Sequence, residues 1–317
     1  MVKLLVTVPC KSAVLERFKQ EFENKLDIIF ANGDSKIIED AISSAEVIIG
    51  EPKPELLHNA RNLKWMQITW AGADRYTGNF PQDVVLTNAS GAFGRVISEY
   101  TIGMILAQYK RFPGYYVNQK KQLWKDLGNE RSLLHNRVLI LGTGNVGSSI
   151  AQKLHAFGTY NIGINRSGKQ AEHFDETHTL EDLDTLLPQA DIVIGALPKT
   201  VGTIGLLDYR RLLLMREDAL LVNVGRGTMI VTTDLERALA EGRFYGVVQD
   251  VMDPEPLPQD SPLWSCERVL LTPHISGIGF DHEPQTEAHI WDICFENLHR
   301  YLDGKPLTHV VDIRAGY

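Results

Sequence analysis

One stretch of the chain constrains its fold more than any other: RVLILGTGNVGSSIAQKLHAFGTYNIGINR, residues 137–166. The apolar run Val138, Leu139, Ile140 and Leu141 suits a strand buried on both faces of a parallel sheet. It leads into Gly142-Thr143-Gly144-Asn145-Val146-Gly147, a G-x-G-x-x-G turn. Val146, Ile150, Leu154 and Phe157 then recur at helical spacing, and Asn161-Ile162-Gly163-Ile164 restores a strand. The result is a βαβ unit with glycines at its first bend.

The physics of that bend points to a ligand. The first glycine permits a tight turn, the second lets backbone approach a pyrophosphate, and the third packs the helix on the strand. N–H groups at the start of a helix have no partner within it and face the phosphates. Gly142, Gly144, Asn145, Val146 and Gly147 are therefore the expected dinucleotide-binding residues.

A chain of 317 residues has room for a second domain beside this one. With 44% apolar and 23% charged residues it has globular composition, and a net charge of −8 argues against general binding to nucleic acid or acidic membranes. Cys10, Cys266 and Cys294 lie far apart without CxxC spacing, which reads as free thiols in a reducing compartment and no metal site. The N-terminal apolar run is short and gives way at once to a charged amphipathic segment, so it reads as a first strand and helix and not as a signal peptide. No run approaches the roughly 20 apolar residues of a spanning helix. A soluble cytoplasmic protein is expected.

Before residue 94 the pattern alternates: strands at 4–8, 26–30, 47–49, 63–68 and 84–87, with helices at 13–25 and 35–43. This is a small doubly wound α/β domain. Val96, Glu99, Tyr100, Met104, Ile105 and Tyr109 lie on a long helix ending near Pro113-Gly114, followed by a lysine-rich arm at 118–126. The helix reads equally as a connector between domains and as plain core. After Arg166, helices are expected at 180–187, 209–215 and 233–241, with strands at 192–196, 219–224, 245–251 and 269–272. Residues 285–302 read as a helix and 307–313 as a returning strand.

Ligands of open parallel sheets bind outside the carboxyl ends of the strands. Three strand ends here are polar or glycine-rich: Leu197-Pro198, Gly225-Arg226-Gly227 and Pro273-His274. Arg226, between two glycines, can hold a carboxylate with two parallel hydrogen bonds. His274 can give or take a proton near neutral pH, and a carboxylate such as Glu255 bonded to it would favour the protonated form. Taken singly, each has a plainer structural explanation.

Together these segments resemble the D-isomer-specific 2-hydroxyacid dehydrogenase family, in its NADP-type, glyoxylate/hydroxypyruvate reductase-like branch. The resemblance rests on the glycine turn, ALPKTVGTIGLL (196–207), VNVGRG (222–227), DVMDPEPLPQDSPLW (250–264) and LLTPHISG (270–277). It implies an α/β fold of two doubly wound parallel-sheet domains, a Rossmann dinucleotide-binding domain (95–284) inserted into a flavodoxin-like substrate domain (1–94 and 285–317). It implies a catalytic triad of Arg226, Glu255 and His274. It also implies that WAGADRY (70–76) is the substrate loop, with the N–H groups of Ala71, Gly72 and Ala73 gripping a carboxylate beside Arg226. Leu197, Pro198, Thr203, Val224 and Asp250 fall on the cofactor side, Asp250 facing the nicotinamide. A homodimer joined through residues 95–125 is implied as well.

Charge decides the cofactor. A NAD-selective fold carries Asp or Glu about 20 residues past the glycines. Here Asn165 stands there, followed by Arg166, Ser167, Gly168 and Lys169. No carboxylate repels a 2′-phosphate, and Arg166, Ser167 and Lys169 can bind one. NADP(H) is expected, with NAD the lesser choice. The expected reaction is reduction of a small 2-keto acid, glyoxylate, hydroxypyruvate or similar, to the D-2-hydroxy acid. A larger aliphatic 2-keto acid, or phosphoglycerate with NAD, is the alternative. A formate dehydrogenase is disfavoured because such enzymes carry glutamine where Glu255 stands. The non-enzymatic alternative is a nucleotide-sensing corepressor. The substrate side chain depends on the first domain, the 70–76 loop and Trp124 of the partner subunit, whose placement sequence spacing does not give.

Overall fold

The computed structural model describes every residue except Asn79 and Tyr317. The chain divides into two compact units, Met1–Ala92 with Gly279–Tyr317, and Phe93–Ile278. The first begins with β1 (Val2–Val6), α1 (Ser12–Phe22), β2 (Leu26–Phe30), α2 (Ser35–Ala41), β3 (Val47–Ile49), β4 (Trp65–Gln67) and β5 (Val85–Thr87). Among the described residues the sheet is parallel throughout, in the order β2-β1-β3-β4-β5. That order is the flavodoxin-like doubly wound arrangement. Leu5, Ile48 and Met66 pack to one side with Ile38 and Ile42. Both faces of such a sheet are covered, which is why β3 reads as an unbroken apolar run.

The second unit holds α3 (Gly94–Tyr109), α4 (Phe112–Lys120), β6 (Arg137–Leu141), α5 (Asn145–His155), β7 (Tyr160–Ile164), β8 (Glu176–His178) and α6 (Leu183–Leu186). It continues with β9 (Ile192–Gly195), α7 (Tyr209–Leu214), β10 (Leu220–Asn223), α8 (Thr232–Ala240), β11 (Gly246–Gln249) and β12 (Val269–Leu271). Its parallel sheet runs β12-β11-β10-β9-β6-β7-β8. The chain winds outward from β6 to β8, then returns to β9 and winds the other way. The order therefore reverses between β6 and β9, which pair directly with Val138 opposite Ile192. Loops leaving those two strands flank the crevice where doubly wound sheets bind ligands. The chain then returns to the first unit as α9 (Pro284–Leu302). There Phe295 packs on Phe18 of α1, with ring centroids 4.6 Å apart.

Two sequence expectations need correction, and one strand was not expected. The long helix does not run to Pro113: α3 stops at Tyr109, Arg111 takes a left-handed conformation (φ 55°), and Pro113 sits in the first turn of α4. A proline is harmless there because its missing N–H would have no helical partner. The expected arm consequently begins inside α4. Residues 307–313 do not form a strand. Only Val310 bridges, antiparallel to Thr87, because Asn297 Oδ1 takes Thr308 N at 2.9 Å and Thr308 Oγ1 at 3.0 Å and holds the chain in a bend. Finally, β8 is a strand that apolar patterning does not reveal, since Glu176-Thr177-His178 is a polar edge.

Candidate active site and dinucleotide cradle

At the glycine turn, sterics select the sequence. A Cβ on Gly147 would lie 1.8 Å from the carbonyl oxygen of Gly142, so only glycine lets α5 start this close to β6. Gly142 itself has φ +111°, and a Cβ there would meet Ala196 O at 2.7 Å, where the chain leaves β9. Gly144 differs: the position of its Cβ faces open space. No side chain caps α5, and the N–H groups of Asn145, Val146 and Gly147 donate to no other described residue. Unpaired helix-start amides beside open space fit a diphosphate.

At the far end of β7, Asn165 does something the sequence does not show. Its Oδ1 accepts the N–H groups of Ser167 at 3.1 Å and Gly168 at 2.7 Å, and its Nδ2 donates to Thr143 Oγ1 at 3.1 Å and Lys169 O at 3.0 Å. The carboxamide thus ties the turn at 166–169 to the glycine turn, and it leaves Arg166, Ser167 and Lys169 exposed. Across the reversal point, Thr203 Oγ1 donates to Pro198 O at 2.7 Å and accepts Thr200 N at 2.8 Å. Thr203 so fixes the loop that carries Leu197 and Pro198 out of β9, while Val224 is buried at the end of β10.

Arg226 follows β10 in a turn that its flanking glycines make possible. A Cβ on Gly227 would fall 1.9 Å from Met252 O, and one on Gly225 would fall 2.8 Å from Leu197 O. The turn is wedged between the chains leaving β9 and β11, with Arg226 half-buried at its apex. Arg226 Nη1 donates to Gly225 O at 2.9 Å.

His274 Nδ1 lies 3.0 Å from Glu255 Oε2, and Glu255 Oε1 accepts Met252 N at 2.8 Å. The carboxylate is therefore anchored to the backbone at one oxygen and to the imidazole at the other. A carboxylate accepts and cannot donate, so Nδ1 carries the proton and Nε2 is left for chemistry. His274 stands at φ +55°, a left-handed conformation that is costly for a residue with a Cβ. Asp250, fully buried at the exit of β11, offsets that cost. Its Oδ1 accepts Thr272 Oγ1 at 2.6 Å and Ile275 N at 2.9 Å, and its Oδ2 accepts Ser276 N at 2.9 Å. Tyr100 of α3 reaches the same Thr272 hydroxyl at 2.5 Å. Burial pushes the Tyr100 phenol up to about 12, so it remains neutral and able to donate.

In the first unit, the loop after β4 carries the expected substrate amides. Ala71, Gly72 and Ala73 donate their N–H groups to no other described residue. Such a run of unpaired amides is an anion-binding feature. Glu51, just past β3, accepts Thr69 N and Thr69 Oγ1, the latter at 2.9 Å. Tyr76 OH donates to Pro52 O at 2.7 Å.

Of the residues singled out from sequence, Arg226, Glu255, His274 and Asp250 sit on strand exits of one sheet, alongside the glycine turn and the 165–169 turn. Sequence reasoning does not single out Tyr100, Thr143 and Thr272, which bond to the strand-exit residues of the second unit, or Glu51, which bonds the start of the 70–76 loop in the first. An acid directly after an apolar strand end was a usable signal for Glu51, and Thr272 adjoins the Pro-His pair. Nothing local marks Tyr100 or Thr143. Among the described residues no group of histidine, cysteine and acidic side chains is placed to hold a metal, and all three cysteines are free. No helix of the described chain is long and apolar enough to cross a membrane.

Comparison with known proteins gives one consistent result. Residues 102–276 match the family model described as the D-isomer specific 2-hydroxyacid dehydrogenase NAD-binding domain. The chain is 32% identical over 279 residues to glyoxylate/hydroxypyruvate reductase A of Serratia proteamaculans, covering 85% of this chain and 87% of that one. Its fold matches a D-isomer specific 2-hydroxyacid dehydrogenase family protein of Aeromonas salmonicida with TM-score 0.88 and 33% identity, over 98% of this chain and 99% of the other. It also matches an NADPH-dependent glyoxylate/hydroxypyruvate reductase of Sinorhizobium meliloti, solved with NADP and sulfate, with TM-score 0.85 and 26% identity over the full length of both.

Proposed function

The chain belongs to the D-isomer-specific 2-hydroxyacid dehydrogenase family, and we propose that it reduces a small 2-keto acid such as glyoxylate or hydroxypyruvate to the D-2-hydroxy acid with NADPH. The observation that carries this reading is the His274–Glu255 pair at 3.0 Å on the same strand-end edge as Arg226 and the glycine cradle.

Bound nicotinamide supplies the hydride. Arg226 holds the keto acid by its carboxylate or carbonyl oxygen, and the amides of Ala71, Gly72 and Ala73 hold the carboxylate. His274, charged and aimed by Glu255 at Nδ1, gives the Nε2 proton to the carbonyl oxygen. Hydride on carbon and proton on oxygen complete the alcohol, and His274 is left neutral. The exposed Arg166 and Ser167, which follow Asn165 where a NAD-selective fold carries Asp or Glu, support NADP over NAD. Neighbours solved with NADP or NADPH support the same choice.

A homodimer is part of this reading. Phe112, Tyr116, Val117 and Leu123 expose apolar surface on α4 and the arm, and Trp124 is fully exposed. Light scattering of the purified protein tests it, and a monomer at micromolar concentration would refute it. A panel of 2-keto acids assayed with NADPH and with NADH tests the activity: turnover of glyoxylate or hydroxypyruvate with an NADPH preference is expected. No turnover with any member, or a clear NADH preference, would overturn the corresponding claim.

A further inference from the structure

The segment leaving β3 grips the 70–76 loop at both of its ends. Glu51 Oε1 accepts the N–H and the hydroxyl of Thr69 at the loop's start, and Pro52 O accepts Tyr76 OH, at 2.7 Å, at its close. Between these anchors, Asn88 Nδ2 donates to Ala71 O at 2.7 Å, and Tyr76 N donates to Ala73 O at 2.8 Å. Every one of these bonds uses a carbonyl or an end residue of the loop. None uses the N–H groups of Ala71, Gly72 or Ala73, which are left together without a protein acceptor among the described residues.

A half-buried acid under a loop expected to bind an anion looks unfavourable. Burial does hold the Glu51 carboxyl above the ordinary glutamate range, against the lowering effect of its bonds to Thr69 and Trp70 and of the nearby Arg75. An acceptor at this point nevertheless has a use. Without it, Thr69 N would be an unpaired donor, and the chain would be free to turn and satisfy it elsewhere. Fixing the first residue of a short loop fixes the direction of the amides that follow.

We propose that Glu51 is a positioning residue for substrate binding: by capping Thr69 it holds the three amides of residues 71–73 converged on one carboxylate of a 2-keto acid. This rests on the functional reading above, and it assigns the substrate-loop geometry to a side chain that never touches substrate. Hydrogen bonds to charged groups are worth enough that losing this anchor is expected to weaken carboxylate binding by about tenfold or more.

The test compares wild type, Glu51→Ala and Glu51→Gln in steady-state reduction of glyoxylate by NADPH. The expected result is a raised KM for glyoxylate in Glu51→Ala, with kcat and the KM for NADPH nearly unchanged. Glu51→Gln, which keeps a carbonyl acceptor for Thr69, should recover most of the loss. An unchanged glyoxylate KM in Glu51→Ala, or an equal rise in both KM values, overturns the proposal. If Glu51→Ala does not fold, Tyr76→Phe releases the other anchor and must show the same split. Calorimetric titration of the NADPH-loaded enzyme with oxalate, which has the carboxylate but cannot be reduced, reads the loop without turnover. Weaker oxalate binding in Glu51→Ala supports the proposal, and wild-type binding there overturns it. A wild type that binds oxalate yet reduces no 2-keto acid overturns the functional reading alone, and one that binds no oxalate overturns both.

Discussion

The backbone N–H of His274 donates to the carbonyl oxygen of Asp250 at 2.8 Å, and the Asp250 carboxylate takes the next two amides of the same loop, Ile275 and Ser276, each at 2.9 Å. A residue expected to face the nicotinamide is thus also the peg on which the histidine loop hangs. Left-handed backbone at a non-glycine residue costs on the order of 1–3 kcal/mol and persists only where the surroundings enforce it. Asp250 and Thr272 do the enforcing. Thr272→Val removes the 2.6 Å bond to Asp250 and the contact with Tyr100. We expect kcat to fall by about tenfold with the KM for NADPH unchanged, as one charge-assisted bond is lost. Steady-state kinetics check this, and wild-type kcat would show that the loop holds without the hydroxyl.

His274→Ala removes the proton donor itself. Positioned proton transfer contributes about 10²–10⁴-fold, so turnover should fall by at least the lower figure. Single-turnover oxidation of NADPH isolates the chemical step, and near-full turnover would refute the assignment.

Cofactor selection should be separable from cofactor binding. Arg166→Ala is expected to weaken 2′,5′-ADP about tenfold or more while leaving 5′-AMP unchanged, since only the former carries the 2′-phosphate. Thr143→Val breaks the 3.1 Å bond to Asn165 and should act in the same direction, because that bond ties the turn to the glycine loop. Calorimetry with the two nucleotides measures both, and equal loss for both nucleotides would place Arg166 elsewhere.

Glu51→Gln should change stability with pH. Burial raises the carboxyl above its unfolded pKa, so the folded chain keeps a proton that the unfolded chain releases. Stability attributable to Glu51 therefore falls as pH rises from the unfolded pKa toward the folded one. Glutamine has no such dependence. Relative to wild type, the melting temperature of Glu51→Gln should be higher at pH 8 than at pH 5, and an identical difference at the two pH values would contradict this.

Gly227→Ala tests the wedge at Arg226. Its new methyl would stand 1.9 Å from Met252 O, a backbone atom that cannot swing aside. Overpacking typically costs about 1–3 kcal/mol, and thermal denaturation should show a loss at the upper end of that range or beyond. A wild-type melting temperature would mean that the turn relaxes freely.

Much of this was legible without coordinates. The apolar runs at 138–141 and 192–195 mark strands because a parallel sheet buries both faces, and the glycines at 142, 144 and 147 mark a turn that only they can make. The strand exits at Arg226 and His274 were readable as polar residues close after apolar runs, whereas Glu255, farther along its loop, was singled out only through the family resemblance. The break at Arg111 was hidden because Lys110 and Arg111 suit a helix interior, and Pro113 has the same appearance at the end of one helix as at the start of another. The β8 strand was hidden because a polar edge carries no apolar alternation.

By itself the sequence determined most of the strands and the glycine turn after β6, because those follow from local sterics and from the burial each run demands, while the roles expected of the strand-end residues came from the family resemblance. Only the tertiary structure decided which side chains meet. That Asn165 bonds Thr143, that Asp250 bonds Thr272, and that Glu51 bonds Thr69 depends on strand order and register, which bring distant residues within 3 Å or so and which no local pattern of residues encodes.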